Sequence, residues 1–209
     1  MIPIETILTF FVAAILLALA PGPDNIFVLT QSTLRGRWAG MVVTMGLCTG
    51  LVFHSSAVAL GVAAIFQTSV VAFSLLKFMG AGYLVYLAWQ AFRASAQKVS
   101  GDGSVGAVSH GKLYRRGIIM NITNPKVSIF FLAFLPQFVT PSQGSIPLQI
   151  LMLGGIFILA TLMIFGGIAL VAGYLGERMN QSPNIQKILN RVAGTVFLGL
   201  ALKLASIKQ

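Results

Sequence analysis

The chain has 209 residues, of which 56% are hydrophobic and 9% are charged. Soluble domains typically carry about 25% charged residues, so this composition excludes an ordinary soluble domain and predicts an all-α integral membrane protein. There is room for six spans of about 20 residues with short loops, which we read as a single domain. The net charge of +10 lies mainly in the loops between apolar runs, which indicates membrane orientation rather than nucleic-acid binding.

The first predicted span, at about 4–34, is longer than a straight crossing of the bilayer needs. A polar interruption, Pro21–Asn25, divides it, because Pro21 and Pro23 lack the backbone N–H that a regular helix requires. We therefore predict two half-helices, the second beginning at about Asn25. No basic residue precedes this apolar run and Glu5 lies near its start, so we expect a retained helix rather than a cleaved signal peptide.

The remaining spans follow in order. Spans 2 and 3 are predicted at about 38–66 and 70–92, and Gly46 and Gly50 of span 2 have the spacing of close helix packing. A linker rich in glycine and serine, at about 95–112, separates a first repeat (1–94) from a second repeat (113–209). Span 4, at about 113–138, is interrupted at Asn124-Pro125. Spans 5 and 6 are predicted at about 148–175 and 187–206.

The basic residues are distributed unevenly between the loops. The loops after spans 1, 3 and 5 carry basic residues, whereas the N-terminus and the loops after spans 2 and 4 carry none. Because basic loops stay in the cytoplasm, both termini are predicted to lie outside it. With three spans in each half, the halves have opposite orientations, and the breaks in spans 1 and 4 become symmetry mates of an inverted repeat.

A charge and a helix break are both costly in a membrane span, and each half of this chain combines the two. This combination predicts a transport site near the bilayer midplane. The residues that break the helices are Pro21, Gly22, Pro23 and Pro125. The candidates for substrate binding or proton coupling are Asp24, Asn25, His54, Asn121, Asn124 and Lys126.

Three of these candidates have two interpretations each. Asp24 is interpreted either as a proton- or substrate-binding carboxylate or as a simple N-cap of the second half-helix. Lys126 is either a partner for Asp24 or a substrate carboxylate, or a lysine that extends to the membrane interface. His54, near the middle of span 2, is either a proton relay or a packed, hydrogen-bonded side chain.

Several segments together resemble the LysE/RhtB family of amino-acid exporters. Ala20–Asn25 resembles the Pro-Gly-Pro-Asp/Asn signature of the family's first span, and Gly80–Arg93 resembles its third span. Asn124–Lys126 with Phe130–Phe138 is similar to the fourth span, and 190–204 to the last. The resemblance covers nearly the whole chain in order.

The resemblance implies export of amino acids or close derivatives from the bacterial cytoplasm across the inner membrane, driven by the proton-motive force. The chain length and the aspartate after Pro-Gly-Pro are more similar to the threonine/homoserine branch of the family than to its lysine branch. We expect a neutral substrate, protons and lipid as partners, with no cofactor, bound metal or catalytic residue, in a chain compatible with a homo-oligomer. The alternatives are a non-catalytic membrane subunit, an intramembrane enzyme, or an exporter of another solute such as a metal ion.

Overall fold

The computed structural model describes residues 2–20, 22–68, 70–93 and 108–175, together with 191–192, 194–195, 197–202 and 205. Within these ranges the chain is helical and contains no strand. The α-helices are α1 (Ile4–Leu19), α2 (Pro23–Arg35), α3 (Arg37–Thr68), α4 (Val70–Arg93), α5 (His110–Ile122), α6 (Pro125–Ile129) and α7 (Ile146–Leu175). A π-helical turn (Phe130–Phe134) and two 3-10 turns (Leu135–Phe138 and Pro141–Gln143) connect α6 to α7.

Two helices in the described part of the chain are long and apolar enough to cross a membrane without interruption. They cover Arg37–Gly61 of α3 and Ile146–Ala172 of α7. Two bent pairs also qualify if each pair forms one span, namely α1 with α2 and α5 with the segment Pro125–Phe138. The chain is therefore a helical membrane protein with two to four candidate spans in its described residues.

Both predicted helix breaks are confirmed. The axes of α1 and α2 differ in direction by 62°, and those of α5 and the following helical segment by 49°. Each second half starts with a proline as its first helical residue, Pro23 in α2 and Pro125 in α6. Proline suits this position because the first N–H groups of a helix have no intrahelical partner.

Several predicted boundaries need correction. The second half-helix begins at Pro23 rather than near Asn25, because proline is itself a good first residue. The linker ends before residue 112, since α5 begins at His110 after an N-cap by Ser109, whose side chain accepts a hydrogen bond from the Lys112 backbone N–H. Residues 94–107 and most of predicted span 6 lie outside the described residues.

Helix α3 lies at the centre of the packing and contacts α2, α5 and α7. It follows α2 after a single residue, Gly36, whose φ of +82° is accessible to glycine at little cost. Close to α3, two buried apolar clusters surround the breaks. The larger contains the aromatic side chains of Phe10, Phe130, Phe131, Phe134, Phe138 and Phe157.

Candidate functional site

At the C-terminal end of α1, backbone carbonyl groups that lack a partner within the helix accept hydrogen bonds from side chains. Proline at position 21 has no N–H to bond to the Leu17 carbonyl, which therefore needs another donor. The Lys126 Nζ atom lies 3.3 Å from the Leu17 oxygen and 2.9 Å from the Ala20 oxygen. Asn25 Nδ2 donates to the Ala18 oxygen at 2.7 Å. Lysine and asparagine thus hold the open end of the first half-helix.

The start of α2 places Asp24 in the first helical turn. Gly22 is the N-cap residue in an extended conformation, and no side chain caps this helix end. The N-cap interpretation of Asp24 is therefore wrong, because the helix starts one residue before it. Asp24 is 3% exposed and lies in the first turn of α2, at the positive end of the helix dipole.

The second break is shaped by Asn124, which is the N-cap of α6. Its Oδ1 atom accepts a hydrogen bond from the Lys126 backbone N–H at 3.0 Å. Its own backbone N–H donates to the Asn121 carbonyl at 3.1 Å. These two bonds fix the turn between α5 and α6 and direct the buried Lys126 side chain toward α1. Lys126 is 8% exposed, and its Nζ atom is buried against the end of α1 instead of extending along the protein surface.

His54 connects α3 to the second break. Its Nε2 atom lies 3.1 Å from the Asn121 backbone oxygen, and a carbonyl only accepts, so Nε2 carries the proton in this bond. The imidazole ring also packs against Phe131, with ring centroids 5.5 Å apart. The half-buried His54 is therefore packed and hydrogen-bonded, as one of its two interpretations predicted.

Glycines let α3 approach α5 closely, as the spacing of Gly46 and Gly50 predicted. A Cβ atom added to Gly50 would lie 2.7 Å from the Asn121 side chain. One added to Gly117 of α5 would lie 2.5 Å from the Val43 carbonyl oxygen. This close contact between the helices helps to position the Asn121 side chain next to the second break.

Four buried polar atoms at the breaks have no hydrogen-bond partner among the described residues. They are Asp24 Oδ1, Asn25 Oδ1, Asn121 Oδ1 and Asn124 Nδ2. The Asp24 carboxyl group faces the side-chain amides of Asn124 and Asn121 as potential hydrogen-bond donors, and it interacts electrostatically with Lys126 and His54. Buried polar groups in folded proteins are nearly always paired, so this cluster suits a ligand that brings complementary groups.

The structure thus brings all six candidate residues to one region, and the two breaks are in contact. Sequence reasoning missed the carbonyl oxygens of Leu17 and Ala20 as partners of Lys126. The missing N–H of Pro21 was a signal for the first of them. The described residues contain no group of three or more His, Cys, Asp or Glu that could hold a metal ion.

Comparison with known proteins identifies the family. The family model for LysE type translocators matches residues 15–207. The chain belongs to this family. Its model describes translocators, so the LysE family is one of transporters rather than enzymes, and the resemblance found in the sequence is confirmed.

Named relatives of this LysE family member include efflux proteins of two kinds. A homoserine/homoserine lactone efflux protein of Salmonella typhi is 33% identical over 200 residues, covering 96% of both chains. A leucine efflux protein of Salmonella choleraesuis is 27% identical over 204 residues, covering 96% of this chain and 95% of the relative. An uncharacterized membrane protein of Vibrio cholerae is 32% identical over 201 residues, covering 96% of this chain and 97% of the relative. No solved structure matches the chain.

Proposed function

We propose that this protein is a secondary transporter that exports neutral amino acids or close derivatives from the cytoplasm in exchange for protons. The observation that carries the proposal is the contact between the two breaks, where Asp24, Asn121 and Asn124 are each 3% exposed and hold unpaired polar atoms. The efflux of homoserine and of leucine by named relatives supports an amino-acid substrate.

Asp24 is the proposed proton carrier. Among the residues that the structure describes, it is the only acidic one at the breaks, and Glu5 is exposed at the other end of α1. A carboxylate that binds a proton from outside and releases it inside couples the gradient to export if substrate and proton use the site in turn. The neighbouring amides of Asn25, Asn121 and Asn124 supply neutral donors and acceptors for the substrate.

We further propose six spans arranged as two inverted repeats, 1–94 and 113–209, with both termini outside the cytoplasm. The matching positions of the two proline breaks support this architecture, since discontinuous helices at equivalent places in two halves are typical of such transporters. The chain would then be a multi-pass protein of the bacterial inner membrane, where a proton gradient is present.

Uptake of labelled amino acids into inverted membrane vesicles tests the proposal. An acidic lumen reproduces the outside of the cell, so vesicles containing the protein should accumulate L-homoserine, L-leucine or L-threonine. A protonophore should abolish this accumulation. Vesicles that accumulate none of a panel of neutral amino acids above the level of vesicles without the protein would contradict the proposal.

A further inference from the structure

We propose that Thr161 of α7 contacts the substrate opposite Asp24, and that its hydroxyl group distinguishes substrates with a hydroxyl-bearing side chain from apolar substrates of the same shape. Thr161 is not among the six candidate residues, and it lies on a helix without a break. The inference rests on the proposed function and adds a specificity-determining residue to the same site. It follows from an unpaired hydroxyl group and from the register of three packed helices.

The Thr161 hydroxyl differs from the other buried hydroxyl groups of the described residues. Thr161 is 2% exposed, and its Oγ1 atom has no hydrogen-bond partner there. The buried side chains of Ser32, Thr44 and Ser55 each donate to the backbone carbonyl four residues earlier, which is a common bond of serine and threonine in helices. Because Thr161 does not make this bond, its hydroxyl group is available to another group inside the protein.

The directions of three helices follow from their contacts. Helices α2 and α3 are joined by the single residue Gly36 and pack side by side, so they run in opposite directions. Near the start of α7, a Cβ atom added to Gly154 would meet Ser55 in the second half of α3. Further along α7, one added to Gly166 would lie 3.7 Å from the Met41 sulfur near the start of α3. Helix α7 therefore also runs opposite to α3, and in the same direction as α2.

The contact at Gly40 of α3 fixes the register between α2 and α7. A Cβ atom added to Gly40 would meet Ser32 Oγ of α2 and would lie 2.9 Å from Ala169 Cβ of α7. Four residues earlier on each helix, which is just over one turn, Val28 and Phe165 belong to the same buried apolar cluster. Each helix thus presents a row of buried residues, spaced by four, to the same interior.

A further step of four residues along each row leads to Asp24 on α2 and to Thr161 on α7. Both side chains are buried, and because the two helices run in the same direction, they lie at the same level of the protein. Asp24 Oδ1 and Thr161 Oγ1 each lack a hydrogen-bond partner, so they are not bonded to each other. Buried polar groups are nearly always paired, so this arrangement suits a ligand group that lies between them.

The surroundings of Thr161 indicate which part of the substrate it contacts. The charged and amide side chains that suit the ammonium and carboxylate groups of an amino acid belong to the two breaks, on α2, α5 and α6. On α7, the residues one turn before and after Thr161 are the buried Phe157 and Phe165. An apolar wall with a single hydroxyl group suits the side chain of a neutral amino acid.

A hydroxyl group can both donate and accept, so a substrate hydroxyl would satisfy Thr161. An apolar side chain of the same shape would leave the buried Thr161 hydroxyl unpaired. L-homoserine and L-norvaline form such a matched pair, and so do L-threonine and L-valine, because each pair differs only in a hydroxyl group that replaces a methyl group. One hydrogen bond of this kind corresponds to a difference in affinity of about three- to tenfold.

Inhibition of labelled L-homoserine or L-leucine uptake into inverted vesicles with an acidic lumen tests the inference. For the wild type, in at least one of the two pairs, the hydroxyl compound should inhibit at a concentration about three- to tenfold lower than its apolar partner. In Thr161→Val this ratio should approach one, because the hydroxyl compound binds more weakly and the apolar compound more tightly. Thr161→Ser keeps the hydroxyl group and should keep the ratio.

Thr44→Val is the matched control, since it removes a buried hydroxyl group that is already paired with the Gly40 carbonyl, and it should leave the ratio unchanged. Thr161→Val should insert into the membrane and unfold at a temperature no lower than that of the wild type, because it replaces an unpaired buried hydroxyl with a methyl group. Failure to insert, or a lower unfolding temperature, would show that the hydroxyl has a structural partner and would contradict the inference.

The remaining outcomes separate this inference from the proposed function. Absence of uptake of every neutral amino acid would contradict both. If uptake takes place but the wild type does not distinguish the members of either pair, or if Thr161→Val keeps the wild-type ratio, the inference alone is wrong. Loss of the ratio in Thr161→Ser as well would also contradict it, because the shape of the side chain rather than its hydroxyl group would then set the preference.

Discussion

At the scale of single residues, Lys126 links two segments that are more than a hundred positions apart in sequence. Its ammonium group lies 2.9 Å from the Ala20 oxygen and 3.3 Å from the Leu17 oxygen, at the open end of α1. In a low-dielectric interior such unsatisfied carbonyls are costly, so this lysine stabilises the break as well as placing a positive charge beside Asp24.

Replacement of Lys126 by methionine should therefore affect both stability and transport. The side-chain volume is kept, but two charge-assisted hydrogen bonds are lost, at about 1.5–3 kcal/mol each. We expect a lower thermal unfolding temperature in detergent and loss of gradient-driven uptake. Lys112→Met, at an exposed position near the start of α5, is the matched control and should change neither. If the unfolding temperature of Lys126→Met equals that of the wild type, these two hydrogen bonds do not stabilise the break.

Gly22→Ala tests the space between the breaks. The backbone at Gly22 is extended, with φ of −170°, so alanine fits its conformation. Its methyl group would lie 3.1 Å from Lys126 Nζ, and we expect transport to fall at least several-fold while the protein remains folded. Gly155→Ala in α7, which meets nothing within 4 Å, should retain wild-type transport. Wild-type rates for both variants would show that this space is not used.

At the scale of elements, two proline breaks and one close helix contact organise the structure. Sequence reasoning predicted these three features because their causes are local: proline lacks the backbone N–H that a helix needs, and glycine has no side chain to keep two helices apart. It did not predict the π-helical and 3-10 turns over Phe130–Phe138. That segment is mostly apolar, and its irregular backbone depends on the aromatic packing with Phe10 and Phe157.

The partners of the site residues were equally hard to predict. The bond between His54 and Asn121 joins α3 to α5, and the bonds of Lys126 join α6 to α1. Such contacts depend on how the helices pack, whereas a single sequence shows only the residue types. The choice of candidate residues was thus possible from their polarity in apolar spans, but their hydrogen-bond partners were not.

Gly50→Ala tests the contact between α3 and α5. The added methyl group would lie 2.7 Å from Asn121, so either the helices separate or the Asn121 side chain moves. Overpacking of this kind typically costs about 1–3 kcal/mol, and we expect a lower unfolding temperature together with slower uptake of labelled amino acids into inverted vesicles. Gly61→Ala on the same helix meets nothing within 4 Å and should be neutral or slightly stabilising. Equal unfolding temperatures of Gly50→Ala and Gly61→Ala would contradict the close contact between α3 and α5.

At the scale of the whole molecule, the uneven distribution of basic loops predicts a definite orientation. Both termini should lie outside the cytoplasm, which requires an even number of spans. A C-terminal alkaline phosphatase fusion should be active, and a C-terminal green fluorescent protein fusion should be dark. The opposite pair of results would place the C-terminus inside and would exclude two inverted three-span repeats with the predicted orientation.

The central claim is that Asp24 couples proton entry to substrate export at the contact between the breaks. Asp24→Asn keeps the size of the side chain and one acceptor oxygen but removes the carboxylate. Glu5→Gln makes the same chemical change at an exposed position and is the matched control. Both variants should insert into the membrane at wild-type levels.

The most direct measurement compares two modes of transport by these variants in inverted vesicles. Asp24→Asn should still exchange labelled for unlabelled L-homoserine or L-leucine when the substrate is present on both sides, although with weaker affinity. It should lose accumulation driven by an acidic lumen, whereas Glu5→Gln should accumulate substrate like the wild type. Accumulation by Asp24→Asn at the wild-type rate would contradict the account and would make His54 the next candidate for the proton carrier.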